Sequence, residues 1–589
     1  MNFRIDMRKA SDMRAGFEPS ESSTIAADAV ISALFEAGVD TFFGVPGGPV
    51  MPLFDAVLRH PHTRLIESRH ETTAVFSAMG YWVQSGRVPV VLVTAGPGGT
   101  NAVTGMAAAF CEGVPVVVLC GDVAWESTGN ICLQNMGPEG VDIENVARSV
   151  SRATLRLPEA STAYGYARYA VAAATAPGAN GPVLLVLPLD RAATTISKSN
   201  AIVAPDSQGT LPVADADTVK KVAHCLAGAE RPLVVVGAAC RNATSEVKAS
   251  VETLGLPFVT TPRGKGVLDE DHPLSLRSGG MAASWWARRY VSEGVDVALV
   301  LGTDLDDVSI GPTQYVRPGG ELIHIDLDAR VFGRGLPTTQ GIVADLRAFT
   351  ADLAAISRNF QIRNPYGADL RSRAVQESPF DCPDFAIDAA SPVAPHRVLH
   401  DLEHAVGPSA RFVSDIGEHM LFALHYLTAR TVNSFGIHLG LGSMASGIGS
   451  AVGRAIADPT SLVVCICGDG CMQMAGSELL VARKHNLPVL TAVFNDSRYN
   501  MVYHGYRQQY GRTAAWSSPD IDFSLWARSH GIPATVIDRP GQITSELVEG
   551  LMAYGGPALL DIRHDADVRI QGAGRVETLQ QMSLAHSDT

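Results

Sequence analysis

The stretch 462–474, LVVCICGDGCMQM, joins a short apolar run to a Gly-Asp-Gly turn and the start of a helical pattern. Residues 461–466 are typical of a strand buried on both faces of a parallel sheet, and residues 471–484 have the pattern of the following helix. A helix at the carboxyl end of such a strand directs free backbone N–H groups and the positive end of its dipole toward bound phosphate. The stretch therefore predicts an α/β fold with an anion site at this turn.

Three cysteines around the turn, Cys465, Cys467 and Cys471, raise the alternatives of a metal-thiolate site and a redox switch. Zinc and iron-sulfur clusters use closely spaced thiolates, but no histidine or fourth cysteine stands near these three in the sequence. In a strand, Cys465 and Cys467 point to one face, and both are expected to be core residues. Cys471 is expected to offer its backbone N–H group to an anion, not its sulfur.

Outward from this stretch, short apolar strands alternate with helices in three blocks of the chain. We predict three doubly wound parallel-sheet α/β domains, at residues 21–192, 215–357 and 390–566. Polar, proline-containing stretches at 196–214 and 358–388 separate them. The strands predicted in the first block are 41–45, 63–67, 88–94, 116–120 and 183–187.

Composition and charge narrow the class of protein. The 589 residues include 46% hydrophobic and 18% charged residues, which is typical of a well-packed globular chain of several domains. The net charge of -14, from 46 Lys and Arg against 60 Asp and Glu, argues against a nucleic acid or an anionic membrane as partner. Nine cysteines, a charged segment 1–20 without an apolar core, and the lack of apolar runs of roughly 20 residues predict a cytoplasmic protein.

A second carboxylate follows the next strand of the third block. The apolar run 489–494 ends in Asn495-Asp496-Ser497-Arg498, and one strand-helix-strand unit separates Asp496 from Asp469. Both acids are therefore expected at the same edge of the sheet. Mg²⁺ usually binds one or two carboxylates together with phosphate oxygens and water. Gly-Asp-Gly by itself is an ordinary turn, so the pair of acids is what predicts a metal site.

With this spacing the sequence resembles the thiamine diphosphate-dependent enzymes, whose signature is Gly-Asp-Gly followed at this distance by an asparagine pair. The resemblance implies that Asp469, Asp496 and the backbone carbonyl of Arg498 hold Mg²⁺, which clamps the diphosphate. Asp496 replaces the usual asparagine and adds a negative charge, which weakens cofactor affinity or requires compensation by Arg498. The resemblance also implies cofactor contacts from the neighbouring residues Gly468, Gly470, Cys471, Tyr499, Asn500 and Met501.

Two further segments of the third block resemble the acetolactate synthase branch of that family. The run 415–419 is similar to its diphosphate-side loop, which implies cofactor contacts from Ile416, Gly417, Glu418 and His419. In that loop His419 is expected to donate to phosphate, whereas Glu418 stands where a glutamine is usual. The run 440–444 is similar to the element that bends the cofactor, which implies Met444 as the apolar wedge and the carbonyl of Gly442 as acceptor. A methionine is otherwise usually core filler.

The first block supplies the remaining candidate residues. Glu71 follows Arg69-His70 at the start of a predicted helix, and Gly48 follows a strand. The resemblance implies that Glu71 contacts the aminopyrimidine ring and thereby assists removal of the C2 proton, and that Gly48 contacts the cofactor. Taken alone, Glu71 has the alternative role of an acid that complements the helix dipole. Gln134 aligns with a glutamine that faces the substrate carbonyl, so Glu71 and Gln134 are the predicted catalytic residues.

The central block resembles the central domain of the family through residues 232–237 and 301–307. In acetolactate synthases this domain binds FAD, which takes no part in redox chemistry. Thr303 stands where those enzymes usually have an arginine, so the resemblance leaves FAD open as a third cofactor beside thiamine diphosphate and Mg²⁺.

The resemblance implies a carboligase or lyase that decarboxylates a 2-oxo acid, with pyruvate as the expected substrate, and joins the remaining fragment to a second carbonyl. The chain lacks the His-His pair of pyruvate decarboxylases, which favours ligation. Gly505 replaces the tryptophan that shapes the acceptor pocket in acetolactate synthases, which leaves the acceptor undefined. The alternatives are a nonligating decarboxylase or C–C bond hydrolase of the same family, and a noncatalytic subunit, which would be expected to lack Glu71.

The family also implies an assembly. Glu71 and the Gly-Asp-Gly turn of one active site come from different subunits in these enzymes, so a homodimer or homotetramer with active sites at the subunit interface is expected. The predicted partners are then a second copy of the chain and a small-molecule 2-oxo acid.

Overall fold

The computed structural model describes residues 23–197, 210–311, 315–513 and 516–570. The charged segment 1–20 and most of the predicted linker 196–214 lie outside the described residues. Each block is built on a six-stranded parallel sheet with helices on both faces, which confirms the predicted α/β class. Each sheet lies within one of the predicted domain ranges, whose boundaries stay predictions.

The first block contains a parallel sheet and a short antiparallel pair at its edge. Its strands are β1 (Ser23–Ile25), β2 (Thr41–Gly44), β3 (Arg64–Glu67), β4 (Val90–Val93), β5 (Val117–Asp122), β6 (Ala153–Arg156), β7 (Val183–Pro188) and β8 (Thr195–Ser197). Its helices are α1 (Ala26–Glu36), α2 (Met51–Arg59), α3 (Glu71–Ser85), α4 (Pro97–Cys111), α5 (Ile143–Ala147), α6 (Ala163–Ala174) and α7 (Leu189–Ala193). The sheet order is β3-β2-β4-β5-β7-β6, and β1 pairs with β8.

The central block repeats this architecture. Its strands are β9 (Pro232–Val236), β10 (Phe258–Thr260), β11 (Ser275–Ser278), β12 (Val297–Leu301), β13 (Glu321–Asp326) and β14 (Gln340–Val343), in the order β11-β10-β9-β12-β13-β14. Its helices are α8 (Ala216–Gly228), α9 (Thr244–Leu254), α10 (Trp285–Ser292), α11 (Asp307–Ile310), α12 (Leu346–Asn359) and α13 (Gly367–Ala374).

The third block carries the opening stretch. Its strands are β15 (Arg411–Ser414), β16 (Phe435–Gly436), β17 (Val463–Gly468), β18 (Val489–Phe494), β19 (Ala534–Ile537) and β20 (Ala558–Ile562), in the order β16-β15-β17-β18-β20-β19. Its helices are α14 (Pro395–Val406), α15 (Glu418–Tyr426), α16 (Ser446–Ala457), α17 (Asp469–Ala475), α18 (Leu479–Lys484), α19 (Asn500–Tyr510), α20 (Phe523–Ser529) and α21 (Ser545–Met552). Strand β17 consists of apolar residues buried on both faces, as expected of a parallel sheet covered by helices.

Two details differ from the sequence-based prediction. The Gly-Asp-Gly segment is not a separate turn, because β17 extends to Gly468 and α17 begins at Asp469. The helix predicted over 471–484 is interrupted by a 3-10 turn at Gly476–Glu478, where the Glu478 side chain accepts hydrogen bonds from the first block. The interruption coincides with this tertiary contact and with Gly476 and Ser477, which disfavour a continuous helix.

The first and third blocks pack together through glycine-mediated contacts between α3 and α16. A side chain on Gly80 would lie 2.1 Å from the carbonyl oxygen of Ser450, and one on Gly453 would lie 1.8 Å from that of Ser77. Residues of both helices and of both sheets belong to one continuous apolar core. The two blocks are therefore joined by direct backbone packing.

Candidate active site

A cavity opens where the strand order of the third sheet reverses. From β15 the chain runs to β16 on one side, whereas β17 and β18 lie on the other side. Ligands of open α/β sheets bind at such switch points, outside the carboxyl ends of the strands. The cavity has a volume of about 230 Å³ and lies at this position.

Every residue of the third block that the sequence predicts for the cofactor or the metal lines this one cavity. They are Ile416, Gly417, Glu418, His419, Gly442, Met444, Gly468, Asp469, Gly470, Cys471, Asp496, Arg498, Tyr499, Asn500 and Met501. The lining also includes residues that sequence reasoning missed, namely Pro395, Phe422, Phe494, Val502 and His564. His564 follows β20, the neighbour of β18, so the same strand-end argument that pairs Asp469 with Asp496 applies to it.

The two predicted carboxylate ligands of the metal, Asp469 and Asp496, follow the ends of neighbouring strands that are in register. Gly468, the last residue of β17, is in register with Phe494, the last residue of β18. Asp469 follows the first strand directly, and its carboxylate accepts the N–H of Gly470 at 2.7 Å. Ser497 has a left-handed φ of 57°, which turns the chain back so that the N–H of Arg498 reaches Asp496 Oδ1 at 3.2 Å.

The Arg498 side chain does not pair with Asp496. Its guanidinium donates to Asn500 Oδ1 at 2.7 Å, to the carbonyl of Ala566 at 2.7 Å and to Asp567 Oδ1 at 3.0 Å. Arg498 therefore offsets the charge of Asp496 through its backbone N–H and through the nearby charge of its guanidinium, without a direct side-chain pair, while its side chain holds residues 566–567 against the site.

Glu418, the acid in place of an amide, is held at the cavity wall by polar neighbours. The amide of Asn500 donates to its carboxylate, and His504 Nε2 lies 3.8 Å from Glu418 Oε2. Both Asn500 and His504 also contact the carbonyl of Ala566, each at 3.0 Å. Glu418 is thus part of the hydrogen-bonded frame that joins α15 to α19.

Burial disfavours the charged form of all three cavity carboxylates, and for two of them a neighbouring carboxylate adds to the effect. Burial raises the pKa of Asp469 to about 6. Burial and the charge of Asp469 raise the pKa of Asp496 to about 7. Burial and the charge of Asp496 raise the pKa of Glu418 to about 8. A divalent cation between such groups would reverse these shifts, because it stabilises the ionised carboxylates.

Buried Asp415, which sequence reasoning left without a role, aligns two loops of the site. Its carboxylate accepts the N–H groups of Ile416, Ala445 and Ile448 at 2.7, 2.8 and 3.1 Å. It thereby ties the loop after β15 to the start of α16, next to Met444. A side chain on Gly470 would lie 2.9 Å from Met444 Cε, so Met444 packs directly on the first turn of α17.

His419 is buried beside the glycines of the site. A side chain on Gly417 would lie 2.5 Å from its ring. Burial lowers the pKa of His419 to about 3, so the ring is neutral, and its Nε2 has no hydrogen-bond partner among the described residues. A buried nitrogen without a partner facing a cavity is suited to a ligand oxygen.

The first-block residues Gly48, Glu71 and Gln134 do not line this cavity; they follow β2, β3 and β5, beyond the carboxyl ends of their own sheet. Glu71 is the first residue of α3, and its carboxylate accepts a hydrogen bond from Asn101 Nδ2 at 3.0 Å. The loop after β4 approaches both predicted catalytic residues, because a side chain on Gly98 would lie 3.4 Å from Glu71 and one on Gly96 would lie 2.7 Å from Gln134. One chain therefore holds two separate groups of candidate residues.

The cysteines of the opening stretch are buried. Cys465 and Cys467 belong to the apolar core shared by the first and third blocks. Cys471 donates its thiol to the carbonyl of Ile416 at 3.2 Å, and burial raises its thiol pKa well above the usual value. A protonated, hydrogen-bonded thiol is a poor nucleophile and a poor metal ligand.

Comparisons with known proteins agree with this geometry. Three domain models of thiamine pyrophosphate enzymes match the chain: the N-terminal TPP binding domain at residues 25–145, the central domain at 219–353 and the C-terminal TPP binding domain at 415–562. A probable acetolactate synthase large subunit of Methanocaldococcus jannaschii is 30% identical over 91% of each chain. The acetolactate synthase large subunit of Lactococcus lactis is 28% identical over 92% of this chain and 93% of its own. The acetolactate synthase isozyme 1 large subunit of Escherichia coli is 26% identical over 92% of this chain and 94% of its own.

Fold and site together define a thiamine diphosphate-binding enzyme with the N-terminal, central and C-terminal domains of its class. The chain belongs to the thiamine pyrophosphate enzyme family, in its acetolactate synthase-like branch. Among the described residues, no helix is both long and apolar enough to cross a membrane.

Proposed function

We propose that the chain uses thiamine diphosphate and Mg²⁺ to decarboxylate a 2-oxo acid, with pyruvate as the first candidate, and to join the remaining fragment to a second carbonyl. The observation that carries this proposal is the convergence of all third-block candidates on one cavity at the switch point of the sheet. The acetolactate synthase names of the relatives supply the expected substrate.

The donor set fits Mg²⁺. Asp469 and Asp496 offer two carboxylates from neighbouring strand ends, and the carbonyl of Arg498 follows the left-handed Ser497. All of these are oxygen ligands, which Mg²⁺ prefers, and the remaining positions fall to phosphate oxygens and water. The carboxylates are close enough for the charge of Asp469 to raise the pKa of Asp496, and a cation between them would relieve that repulsion.

The cavity also fits a diphosphate despite the net charge of -14. Helices α15, α17 and α19 each begin at the cavity, at Glu418, Asp469 and Asn500. Their free N–H groups and dipoles provide positive potential at one point. His419 Nε2 faces the cavity without a partner, and because the carbonyl of Asp415 engages the other ring nitrogen, His419 would donate to a phosphate oxygen from the doubly protonated ring, which a bound anion favours.

Glu71 and Met444 are the proposed contacts to the reacting end of the cofactor. When bound, thiamine diphosphate supplies a thiazolium carbon that attacks the 2-oxo group and accepts the electrons released with CO₂. Glu71, buried at the start of α3 and oriented by Asn101, would hold a proton at the aminopyrimidine ring. Met444, packed on Gly470, would contact the cofactor from the apolar side, and Gln134 would orient the substrate carbonyl.

The separation of Glu71 from the third-block cavity supports an assembly. Glu71, Gly48 and Gln134 do not line that cavity, so a complete site needs the first block of a second copy. The loop that carries Gln134 exposes the large apolar residues Ile131, Leu133 and Val141, which a second copy would cover. We therefore expect at least a homodimer.

FAD is a separate question. The carboxyl edge of the central sheet carries Asp304, Asp306 and Asp326, and Arg263 is ion-paired with the first two. Because Arg263 already pairs with Asp304 and Asp306, this edge neither requires nor rules out a flavin dinucleotide, and no step above uses FAD. The absorption spectrum of the purified protein decides whether a flavin is bound.

Product analysis tests the proposal. The chain is mixed with thiamine diphosphate, Mg²⁺ and pyruvate, with Asp469→Asn and metal-free samples as controls. Acetolactate is the expected product. Acetaldehyde would instead support the nonligating decarboxylase of the same family, and the absence of CO₂ release would exclude pyruvate as donor. The metal-free sample is expected to lose cofactor binding and to recover it when Mg²⁺ is added.

A further inference from the structure

Helix α16 buries a positive charge that has no counter-charge. Arg454 is only 1% exposed. Burial lowers its pKa to about 9, and the charges of Arg241 and Arg411 lower it further, so the guanidinium is still charged at neutral pH. Its Nη1 donates to the carbonyl of Asn433 at 2.9 Å, while its Nε has no hydrogen-bond partner within the described parts of the chain. Because an isolated buried charge is costly, Arg454 requires an anion beside it.

Two further donor side chains lie near Arg454. His438 follows β16 and is 5% exposed, and its Nε2 is buried without a partner among the residues that the structure describes. Burial lowers the pKa of His438 to about 3, and the nearby charges of Arg454 and Arg241 lower it further. Arg241, from the central block, donates to the carbonyl of Arg263 at 2.7 Å. Neither Arg241 nor Arg454 is ion-paired with a carboxylate of the described residues.

The acid nearest to this cluster is already engaged. Burial lowers the pKa of Arg241, and the charge of Glu112 at the end of α4 opposes that shift. The Glu112 carboxylate accepts the N–H of Gly440 at 2.6 Å and lies 3.9 Å from the guanidinium of Arg263. Glu112 therefore belongs to Arg263 and Gly440, and the charge of Arg454 stays uncompensated.

We propose that Arg454, His438 and Arg241 form a binding site for one small inorganic anion, with chloride as the first candidate. The anion takes the place of the missing carboxylate, and Arg454 Nε and His438 Nε2 donate to it. The site suits a small ion because its walls are close. A side chain on Gly436 would lie 2.2 Å from Arg454 Nη2, so the backbone of β16 packs directly on the guanidinium.

The proposed anion site is connected to the segment that carries two of the cofactor contacts. His438 stands four residues before Gly442 and six before Met444, and Glu112 holds Gly440 in the same segment. An anion bound to His438 and Arg454 fixes this segment against α16. Chloride is therefore expected to tighten cofactor binding. This consequence rests on the proposed function, whereas the anion site does not.

Crystals of the full-length chain grown in sodium bromide test the site directly. Bromide replaces chloride in such sites, and its anomalous scattering identifies its position. We expect a peak between the Arg454 guanidinium and His438 Nε2, and its loss in Arg454→Met. Bromide at surface positions alone would overturn the proposal.

Thermal unfolding tests the site in solution. Sodium chloride is compared with sodium gluconate, whose anion is too large for the site, at equal ionic strength. Chloride at ten times its Kd is expected to raise the unfolding temperature by about 1–2 °C, with saturation. Arg454→Met should lose this response and should be at least as stable as wild type in gluconate, because it removes an unpaired buried charge. Equal destabilisation in both salts would instead show a merely structural arginine. If Arg454→Met does not fold, His438→Leu replaces it, and a weaker chloride response is expected.

Arg397→Met is the matched control. Arg397 lies in the same block and is partly buried, but its Nε donates to Asp401 Oδ1 at 2.7 Å, so its charge is compensated. The variant is expected to keep the full chloride response. Loss of that response in Arg397→Met would show that chloride acts elsewhere.

Titration with chloride-free thiamine diphosphate and magnesium gluconate tests the connection to the cofactor. We expect affinity to be about fivefold higher in chloride than in gluconate, the lower end of usual coupling between sites, and equal in both salts for Arg454→Met. Equal wild-type affinity in both salts would refute the connection alone. A chain that binds no cofactor in either salt would refute the proposed function, and the bromide peak would still be expected.

Discussion

Gly470→Ala tests how closely the cavity is built around the first turn of α17. The added carbon would lie 2.7 Å from Tyr499 Cε1 and 2.9 Å from Met444 Cε, whereas carbon atoms in contact lie about 3.5–4.0 Å apart. Both side chains line the cavity, so each must retreat by about 1 Å. Overpacking of this kind costs about 1–3 kcal/mol, while alanine gains about 1 kcal/mol over glycine within a helix.

The expected result is a small loss of stability with a large loss of function. The net change in unfolding free energy is about 0–2 kcal/mol, from the opposing terms above. A displacement of about 1 Å at the wedge residue lowers the rate by about 100-fold. Thermal unfolding measures the first quantity, and CO₂ release from the saturated holoenzyme measures the second.

Gly550→Ala is the control for this experiment. Gly550 lies in α21 with no atom within 4 Å of an added carbon. Its replacement by alanine therefore gives the same gain in helix propensity without a steric clash. Wild-type turnover and wild-type cofactor affinity in Gly470→Ala would refute the placement of Met444 against the cofactor.

Three further changes test separate parts of the site and the fold. Glu71→Gln is expected to leave cofactor affinity nearly intact and to slow C2 proton exchange by about 100-fold, since the amide cannot share the proton; unchanged exchange in NMR would contradict this role. Asp496→Asn removes a charge beside Asp469, and we expect equal or tighter cofactor binding by titration; a clear loss would mean that the carboxylate is required. Lys265→Met leaves buried Glu270, which Lys265 Nζ contacts at 2.7 Å, without its main counter-charge, and denaturant unfolding should detect a loss of about 3–5 kcal/mol. The double variant with Glu270→Gln should regain most of that loss, and an undiminished loss would place the effect elsewhere.

The fold was predictable where local pattern and strand order act together. Apolar strands β17 and β18 are recognisable by composition, and a right-handed crossover between parallel strands brings their carboxyl ends to one edge. Gly468 and Phe494 are in register at that edge. The placement of Asp469 beside Asp496 follows from this geometry. Strand β6 was missed because its short, half-buried sequence Ala153–Arg156 lacks the apolar run on which the other predictions depended.

Contacts between distant segments were not predictable from spacing. The Arg498 side chain turns toward Ala566 and Asp567 instead of Asp496, because residues 566–567 offer it a carbonyl and a carboxylate. Glu478 ends the turn that interrupts the predicted helix, and its hydrogen-bond partners Arg69 and Thr73 lie some 400 residues earlier. In both cases the side chain is paired by tertiary structure, which no local pattern encodes.

The backbone packing of α3 on α16 determines which parts of the molecule can move. Side chains at an ordinary helix interface change rotamers and let two helices slide by small steps. At Gly80 and Gly453 the helices touch through backbone atoms, which have no alternative rotamers. Even one added carbon would lie within 2.1 Å of a carbonyl oxygen. The first and third blocks of a chain must then move as one rigid unit. In the assembly proposed above, entry and release of substrate would then be left to the loops around Gln134 and α19, and to motion of one subunit relative to the other.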